Sequence, residues 1–371
     1  MASSDVRIAG LADVAKAMLA TLAAGRDAVA ARVVDIQGFS TWAGDELVVV
    51  DEAGTQHGWV LGEFGGRRVR AVAEGMLGRG RQELTSVEVE VHGTDVIEAG
   101  LSCGGRAELL LQPAQGIPSV LWSRLAERAP VALLTRIDGP GSSAESMVVG
   151  ADGMRAGTIG SDAEGAVMES TVAEARLVLA NGHSATRRVP SDTGTVLVEV
   201  WVPTPRLVVV GSGDLVGAIS AQAGLLGWDT AAVEDRPASA DDGAPEWMAL
   251  DEALTWAGAS AALVVLSHDP HVDVPALVAA LDRSVPYIGA MGSRRTQSRR
   301  FARLVALGRT EQELDRVRRP IGLDLGGRGA PEIALAICAE ILALHCGRDA
   351  KPLRDAAGPI NDRPTAPTTS S

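Results

Sequence analysis

The stretch from Arg206 onward places the tightest limit on the fold. Short apolar, β-branched runs (RLVVV, TAAVED, AALVVLS, YIGAM) alternate with helix-length segments (LVGAISAQAGLLG, APEWMALDEALTWA, VPALVAALDRS, SRRTQSRRFARLVALG). Consecutive parallel strands need a crossover, and strands buried on both faces read as unbroken apolar runs, so the alternation predicts a parallel sheet with helices on both faces. Pro203 and Pro205 stand just ahead of the first strand and mark an interdomain linker. A Rossmann-like α/β domain is therefore expected over residues 205–350. Residues 351–371, ending AAGPINDRPTAPTTSS, have no periodicity and are expected to be a disordered tail.

Residues 1–204 read differently. Leu11, Val14, Ala15, Met18 and Leu22 recur at helical spacing and Gly25 follows as a stop signal, so a first amphipathic helix is expected. Short β-rich runs such as VAARVVDI and ELVVVDE come next, separated by glycine-containing turns. Gly38, Gly58 and Gly62 have counterparts in Gly139, Gly157 and Gly160, about 100 residues further on, at turns of the kind that reuse glycine. Each set leads into a helical stretch, VRAVAEGML or AVMESTVAEARLVLA. The expectation is an α+β domain built from a duplicated β-β-β-helix unit, with copies over about 28–113 and 130–200. The competing reading is convergence of two glycine-rich hairpins on the residue that tolerates positive φ.

With 47 acidic against 34 basic residues the net charge is −13, which disfavours nucleic acid and anionic membranes as partners. No charge-free apolar run reaches the roughly 18 residues needed to span a bilayer and no leader pattern opens the chain, so a cytoplasmic protein without membrane insertion is expected. Cys103, Cys338 and Cys346 show no CxxC spacing, which argues against a disulfide framework or structural zinc. Cys338, within IALAICAEILALHCG, reads as core.

The chemistry-bearing residues collect at strand ends. RLVVV runs into Gly211-Ser212-Gly213-Asp214 and a helix, the setting in which backbone amides at a helix N-terminus meet a pyrophosphate. Asp235 ends the second strand, where a carboxylate can accept a ribose hydroxyl. An ordinary dinucleotide fingerprint would place its third glycine at Val216, with Gly217 and Ala218 following, and Asp214 sets a negative charge at the phosphate position unless it is the helix N-cap. Ser267-His268-Asp269 ends the third strand, Gly292-Ser293-Arg294-Arg295 the fourth, and Gly322 to Glu332 leads into the last helix, with Pro331 near its first turn. Each has a local reading too: His268 as a turn residue, Ser293 as an N-cap, Arg294, Arg295, Arg299 and Arg300 as a solvated face rather than a phosphate-binding patch. Cys103 lies in GLSCGG, where its thiolate is open to a metal, pterin or sulfur donor, or where a small side chain fills a tight turn.

Four segments, RLVVVGSGDLVGAISAQAGLLGWDTAAVEDRP, VVLSHDPHVDVPAL, YIGAMGSRRTQSRRFARL and RRPIGLDLGGRGAPEIALAICAEILAL, together resemble the C-terminal domain of the XdhC/CoxI family over residues 205–346, and GLSCGGRAELLLQP extends the resemblance into the N-terminal half. The resemblance implies a homodimeric accessory protein. Such a protein binds molybdenum cofactor, assists its sulfuration by a cysteine desulfurase and inserts it into a molybdenum hydroxylase client, a xanthine dehydrogenase or carbon monoxide dehydrogenase. Gly211, Ser212, Gly213, Asp235, His268, Gly292, Ser293, Arg294 and Arg295 would then line a nucleotide or pterin crevice, with Cys103 a contact to molybdenum or its sulfur. The chain departs from the family in its first repeat. Gly38-Phe39-Ser40-Thr41-Trp42 stands for a GSxPR-like segment, and Gly62-Glu63-Phe64-Gly65-Gly66-Arg67 for a GGCxE-like one, so that cysteine is absent. The family's GAGH-like turn is GSGD, and Ala330 replaces its usual threonine. Two alternatives use the same crevice: an NAD(P)-dependent oxidoreductase, for which His268 is the acid/base group at hand, and a non-catalytic partner with a degenerate nucleotide site.

Overall fold

A computed structural model of the chain describes residues 10–37, 46–80, 83–91, 104–138, 146–159, 165–180, 182, 184–191, 194–234 and 248–355. Two compact units result, one containing Met1–Val202 and the other formed by Pro203–Ala357.

The first unit opens with helix α1 (Leu11–Ala23) and strands β1 (Ala28–Gln37), β2 (Leu47–Asp51) and β3 (Gln56–Gly58), followed by α2 (Gly62–Leu77), β4 (Thr85–Val91) and β5 (Gly105–Pro113). They form an antiparallel sheet in the order β3-β2-β1-β5-β4. The succession then recurs: α3 (Val120–Ala126), β6 (Val131–Arg136), β7 (Ser146–Gly150), β8 (Arg155–Gly157), α4 (Gly165–Ala180), β9 (Ala185–Ser191) and β10 (Gly194–Trp201), with sheet order β8-β7-β6-β10-β9. The duplicated unit is thus longer than the β-β-β-helix read from the sequence, since each copy adds a leading helix and two closing strands. Gly58 pairs with Val48 as Gly157 pairs with Met147, at φ +89 and +84. A Cβ on either would lie 2.2 Å from the Leu47 carbonyl oxygen or 2.3 Å from that of Ser146. The repeated glycine is therefore a steric requirement of the third strand in each copy.

Alternate residues of β1 serve two cores. Val29, Ala31 and Val33 pack under Val69, Ala73 and Met76 of α2. Ala28 and Ala30 face Val131, Leu133 and Trp201 of the second copy, together with Val14 and Met18 of α1 and Leu121 and Trp122 of α3. The outer face of the second sheet is closed by Val172, Ala175 and Val178 of α4. Between the sheets, Arg32 Nε donates to Glu199 Oε2 at 2.8 Å and Nη2 to Gln112 Oε1 at 2.8 Å, while Gln112 Nε2 donates to Ser146 Oγ at 2.7 Å. All four side chains are buried. A buried ion pair roughly breaks even against an apolar substitute, so this cluster matters most for fixing how the copies register on each other.

The second unit comprises β11 (Arg206–Val210), α5 (Asp214–Leu225), β12 (Asp229–Val233), α6 (Leu250–Ala257), β13 (Ala261–Val265), α7 (Pro270–Asp282), β14 (Tyr287–Ala290), α8 (Arg294–Ala306), α9 (Glu311–Leu314), β15 (Val317–Arg318) and α10 (Ala330–His345). Its sheet is parallel throughout, in the order β12-β11-β13-β14-β15. One face packs Val208, Val210 and Leu263 against α6, α7 and Leu304 of α8; the other packs Leu207, Val209 and Val264 against Ile219 of α5 and Ile337 and Cys338 of α10. Cys338 is buried, which pushes its thiol up to about 11. β15 and α9 are too short to leave a periodic signal and were not expected. Asp214 is not an N-cap: Gly213 holds that position, and Asp214 follows in the first turn of α5. Among the described residues no helix is long and apolar enough to cross a membrane.

Candidate functional site

In a sheet of this order, ligands sit beyond the carboxyl ends of the strands, near the point where the order reverses. Gly211 follows β11, Ser267 and His268 follow β13, and Met291 to Ser293 follow β14 on this rim. The ladder continues a step past the strands, with Leu266 N donating to Val210 O at 2.8 Å and Met291 N to Val265 O at 2.8 Å.

A cavity of about 590 Å3 opens on the rim, lined by His268, Met291, Gly292 and Ser293, by the connection from Pro320 to Arg328, and by Glu332, Ile333 and Ala336 of α10. That is the size range of small-molecule sites. The connection is tied down at both ends. Gly289 leaves the space in β14 that Ile321 fills, since a Cβ there would lie 2.3 Å from Ile321 Cδ1. Glu340 Oε2 accepts from Gly322 N at 3.0 Å and from Tyr287 Oη at 2.5 Å. Burial, with the Glu340 carboxylate beside it, pushes the Tyr287 hydroxyl far above the ordinary tyrosine range, so it stays a donor. Glu332 Oε2 accepts from Arg328 N at 2.8 Å and Gly329 N at 2.9 Å, closing the N-terminus of α10, and those two amides, Gly329 first, hold its carboxyl below the usual range.

Of the residues expected at the site, His268, Gly292 and Ser293 meet in this cavity. Ser293 caps α8 by accepting from Thr296 N at 3.3 Å, so its local and site readings both hold geometrically. His268 stands exposed between two anchored neighbours: Ser267 Oγ accepts from Asp269 N at 3.1 Å, and Asp269 Oδ1 accepts from His271 N at 2.8 Å as the cap of α7. Gly211, Ser212 and Gly213 form the β11–α5 turn but do not line the cavity. Gly211 is buried at φ +152, and a Cβ there would meet that of Leu266 at 2.8 Å, so packing alone accounts for it. Gly213, at φ +87 and ψ −172, needs glycine for its backbone and has open space above it.

Arg294 and Arg295 are exposed in the first turn of α8, beside the cavity but not in its wall, and Arg299 is exposed further along. Arg300 does not belong with them: it is 3% exposed and paired with Asp273 at 2.6 Å, so the four-arginine patch read from the sequence is a three-arginine one. Asp235 and Cys103 lie outside the described residues; for Cys103 the flanks place Gly105 opposite Val91 and Arg106 opposite Gln37. Among the described residues no cluster of His, Cys, Asp and Glu could hold a metal ion. Met291, Pro320 and Ile321 also line the cavity and carry no local signal of it in the sequence, since nothing but the fold brings that proline-led connection across β14.

A duplicated antiparallel unit followed by a parallel α/β domain with a crevice on its carboxyl rim defines a Rossmann-domain protein with a β-rich partner unit. Residues 207–341, which lie within the second unit, match the XdhC Rossmann domain. The chain is similar to the molybdenum cofactor insertion chaperone PaoD of Escherichia coli, 27% identical over 328 residues that span 87% of this chain and 85% of PaoD. It is also similar to YqeB of the same organism, 29% identical over 246 residues; that match spans 58% of this chain but 44% of YqeB. The crystal structure of a xanthine dehydrogenase from Bacillus halodurans matches at a TM-score of 0.57 and 18% identity, over 92% of this chain and 97% of that one, a likeness of fold.

Proposed function

We propose that the protein is an accessory factor that carries molybdenum cofactor as cargo and hands it to a molybdenum hydroxylase client. The observation that carries the reading is the rim cavity: it is of small-molecule size, walled by backbone-rich glycine segments, and offers His268, Ser293 and Arg328 as polar contacts. These suit a pterin with its phosphate. The likeness to PaoD along most of both chains supports delivery as the task rather than turnover. In this reading Gly292, Ser293 and His268 hold the cargo, Arg294, Arg295 and Arg328 supply positive charge at its phosphate end, and Gly211, Ser212, Gly213 and Asp235 serve a cofactor form that bears a nucleotide. Cys103 contacts the metal or its sulfur during sulfuration by a cysteine desulfurase, and the working form is a homodimer.

The glycine turn between β11 and α5 favours a second reading, NAD(P) binding for hydride chemistry. Purification from a host that makes molybdenum cofactor, followed by assay of bound molybdenum and pterin and by titration with NAD(H) and NADP(H), separates the two. Near-stoichiometric pterin with little nicotinamide binding is expected; the reverse replaces the carrier with an oxidoreductase, and neither leaves a non-catalytic partner. Arg328→Glu, at an exposed position, is expected to reduce retained pterin about tenfold, equivalent to about 1.4 kcal/mol. Cys103→Ser should lower the sulfurated cofactor reaching the client, and undiminished loading would remove that thiol from the mechanism.

A further inference from the structure

We propose that Arg300, with Asp273 and Gln297, is the positioning centre of the rim cavity, holding its two strand-end loops at a fixed separation from beneath. All three side chains are buried, at 3%, 3% and 5% exposure. Arg300 Nε and Nη2 donate to Asp273 Oδ2 at 2.8 and 2.6 Å. Nη2 also donates to the Ser267 carbonyl at 3.1 Å, and Nη1 donates to the Met291 carbonyl at 3.1 Å and to Gln297 Oε1 at 2.9 Å. Gln297 Nε2 in turn donates to the Ala290 carbonyl at 2.8 Å. One guanidinium thus grips the carbonyl immediately before His268 and the carbonyl immediately before Gly292, and both of those residues line the cavity.

Both carbonyls lie past the ends of β13 and β14, where the ladder is ending. A planar fork of five donors serves two carbonyls and a carboxylate at once, which a lysine ammonium on its flexible stem cannot do. Stability is a weak reason for burying this pair, because apolar replacement of both partners is commonly neutral or stabilising. What apolar side chains cannot reproduce is the link between the two loops. The geometry stands without knowledge of the ligand; its consequence for cargo rests on the reading under Proposed function.

The test uses the full chain in three variants. Arg300→Met combined with Asp273→Leu removes the link and leaves no orphaned charge. It is expected to stay folded, with a urea midpoint near the parent's. Amide hydrogen exchange in the free protein should rise at least about tenfold at Asp269 and Met291, the reporters of the two loops, and retained pterin should fall about tenfold. Arg300→Lys keeps the charge and is expected to restore neither the exchange protection nor the retention. Gln297→Met keeps the ion pair and cuts the Ala290 bond, so exchange should rise at Met291 but not at Asp269, which remains readable if the double variant does not fold. Unchanged exchange at Met291 in Gln297→Met, or at both reporters in a folded double variant, overturns the proposal, as does a full rescue by lysine. Faster exchange in variants of a parent that itself retains no pterin sinks the cargo reading and leaves the positioning role standing.

Discussion

Glycine at the residue scale separates three demands that look alike in a sequence. Gly58 and Gly157 stand where any side chain would strike a neighbouring carbonyl, Gly213 stands where only the backbone forbids one, and Gly217 stands inside α5 with nothing within 4 Å. Gly58→Ala is therefore expected to cost at least about 2 kcal/mol, through both the positive φ and the contact with Leu47. Gly217→Ala should instead stabilise by roughly 0.5–1 kcal/mol, the ordinary gain at a helix-interior glycine. Urea midpoints of the two variants have opposite predicted signs. By spacing, Gly217 sits one place beyond the third-glycine position of the fingerprint that Gly211 and Gly213 begin. In the structure Gly211 answers to Leu266 and Gly217 answers to nothing, so motif spacing carries less about ligand approach here than steric surroundings do.

The elements that build the crevice were legible to different degrees. Strands β11, β13 and β14 and helices α5, α7 and α10 follow from apolar runs and helical spacing, because burial on both faces of a parallel sheet leaves a strong local imprint. Helix α8 misleads on the side that matters, since its buried face is Gln297, Arg300 and Leu304. Polar residues at i and i+3 read as solvated, and only the Asp273 carboxylate and the carbonyls of the β13 and β14 end loops make them core. The start of α10 rests on Glu332, whose carboxyl is held below its usual range by the amides of Gly329 and Arg328. A group with a depressed folded value contributes stability above its unfolded value, about 4.3 for a glutamate, and loses it as pH falls through the depressed value. Glu332→Ala is accordingly expected to lower the urea midpoint at neutral pH, with the gap to the parent narrowing below about pH 4. A gap that does not change with acidification would show that the cap works without its charge.

At the scale of the whole molecule, the two units make different predictions about cooperativity. Pro203–Ala357 has its own sheet and two cores, so a fragment with those bounds is expected to unfold in a single urea transition followed by circular dichroism. The two copies within the first unit share a core and the Arg32–Glu199 pair and should not fold apart. Arg32→Met alone leaves Glu199 buried without its cation and is expected to cost about 3–5 kcal/mol, most of which the addition of Glu199→Leu should recover. A double variant no more stable than the single one would mean that the pair is not what joins the sheets.

Local chemistry in the sequence determined the strand–helix alternation of the second unit, the recurrence of the first, and the placement of His268, Gly292 and Ser293 at strand ends. Each of these leaves a periodic or turn-forming trace within a dozen or so residues. Tertiary structure alone decided that the connection from Pro320 to Arg328 closes over those strand ends to make a cavity, that Arg32 of one copy meets Glu199 of the other, and that Arg300 turns inward from an arginine-rich helix. These depend on partners far away in the chain, and a charged residue carries no local mark of whether its counter-charge will be water or a buried carboxylate.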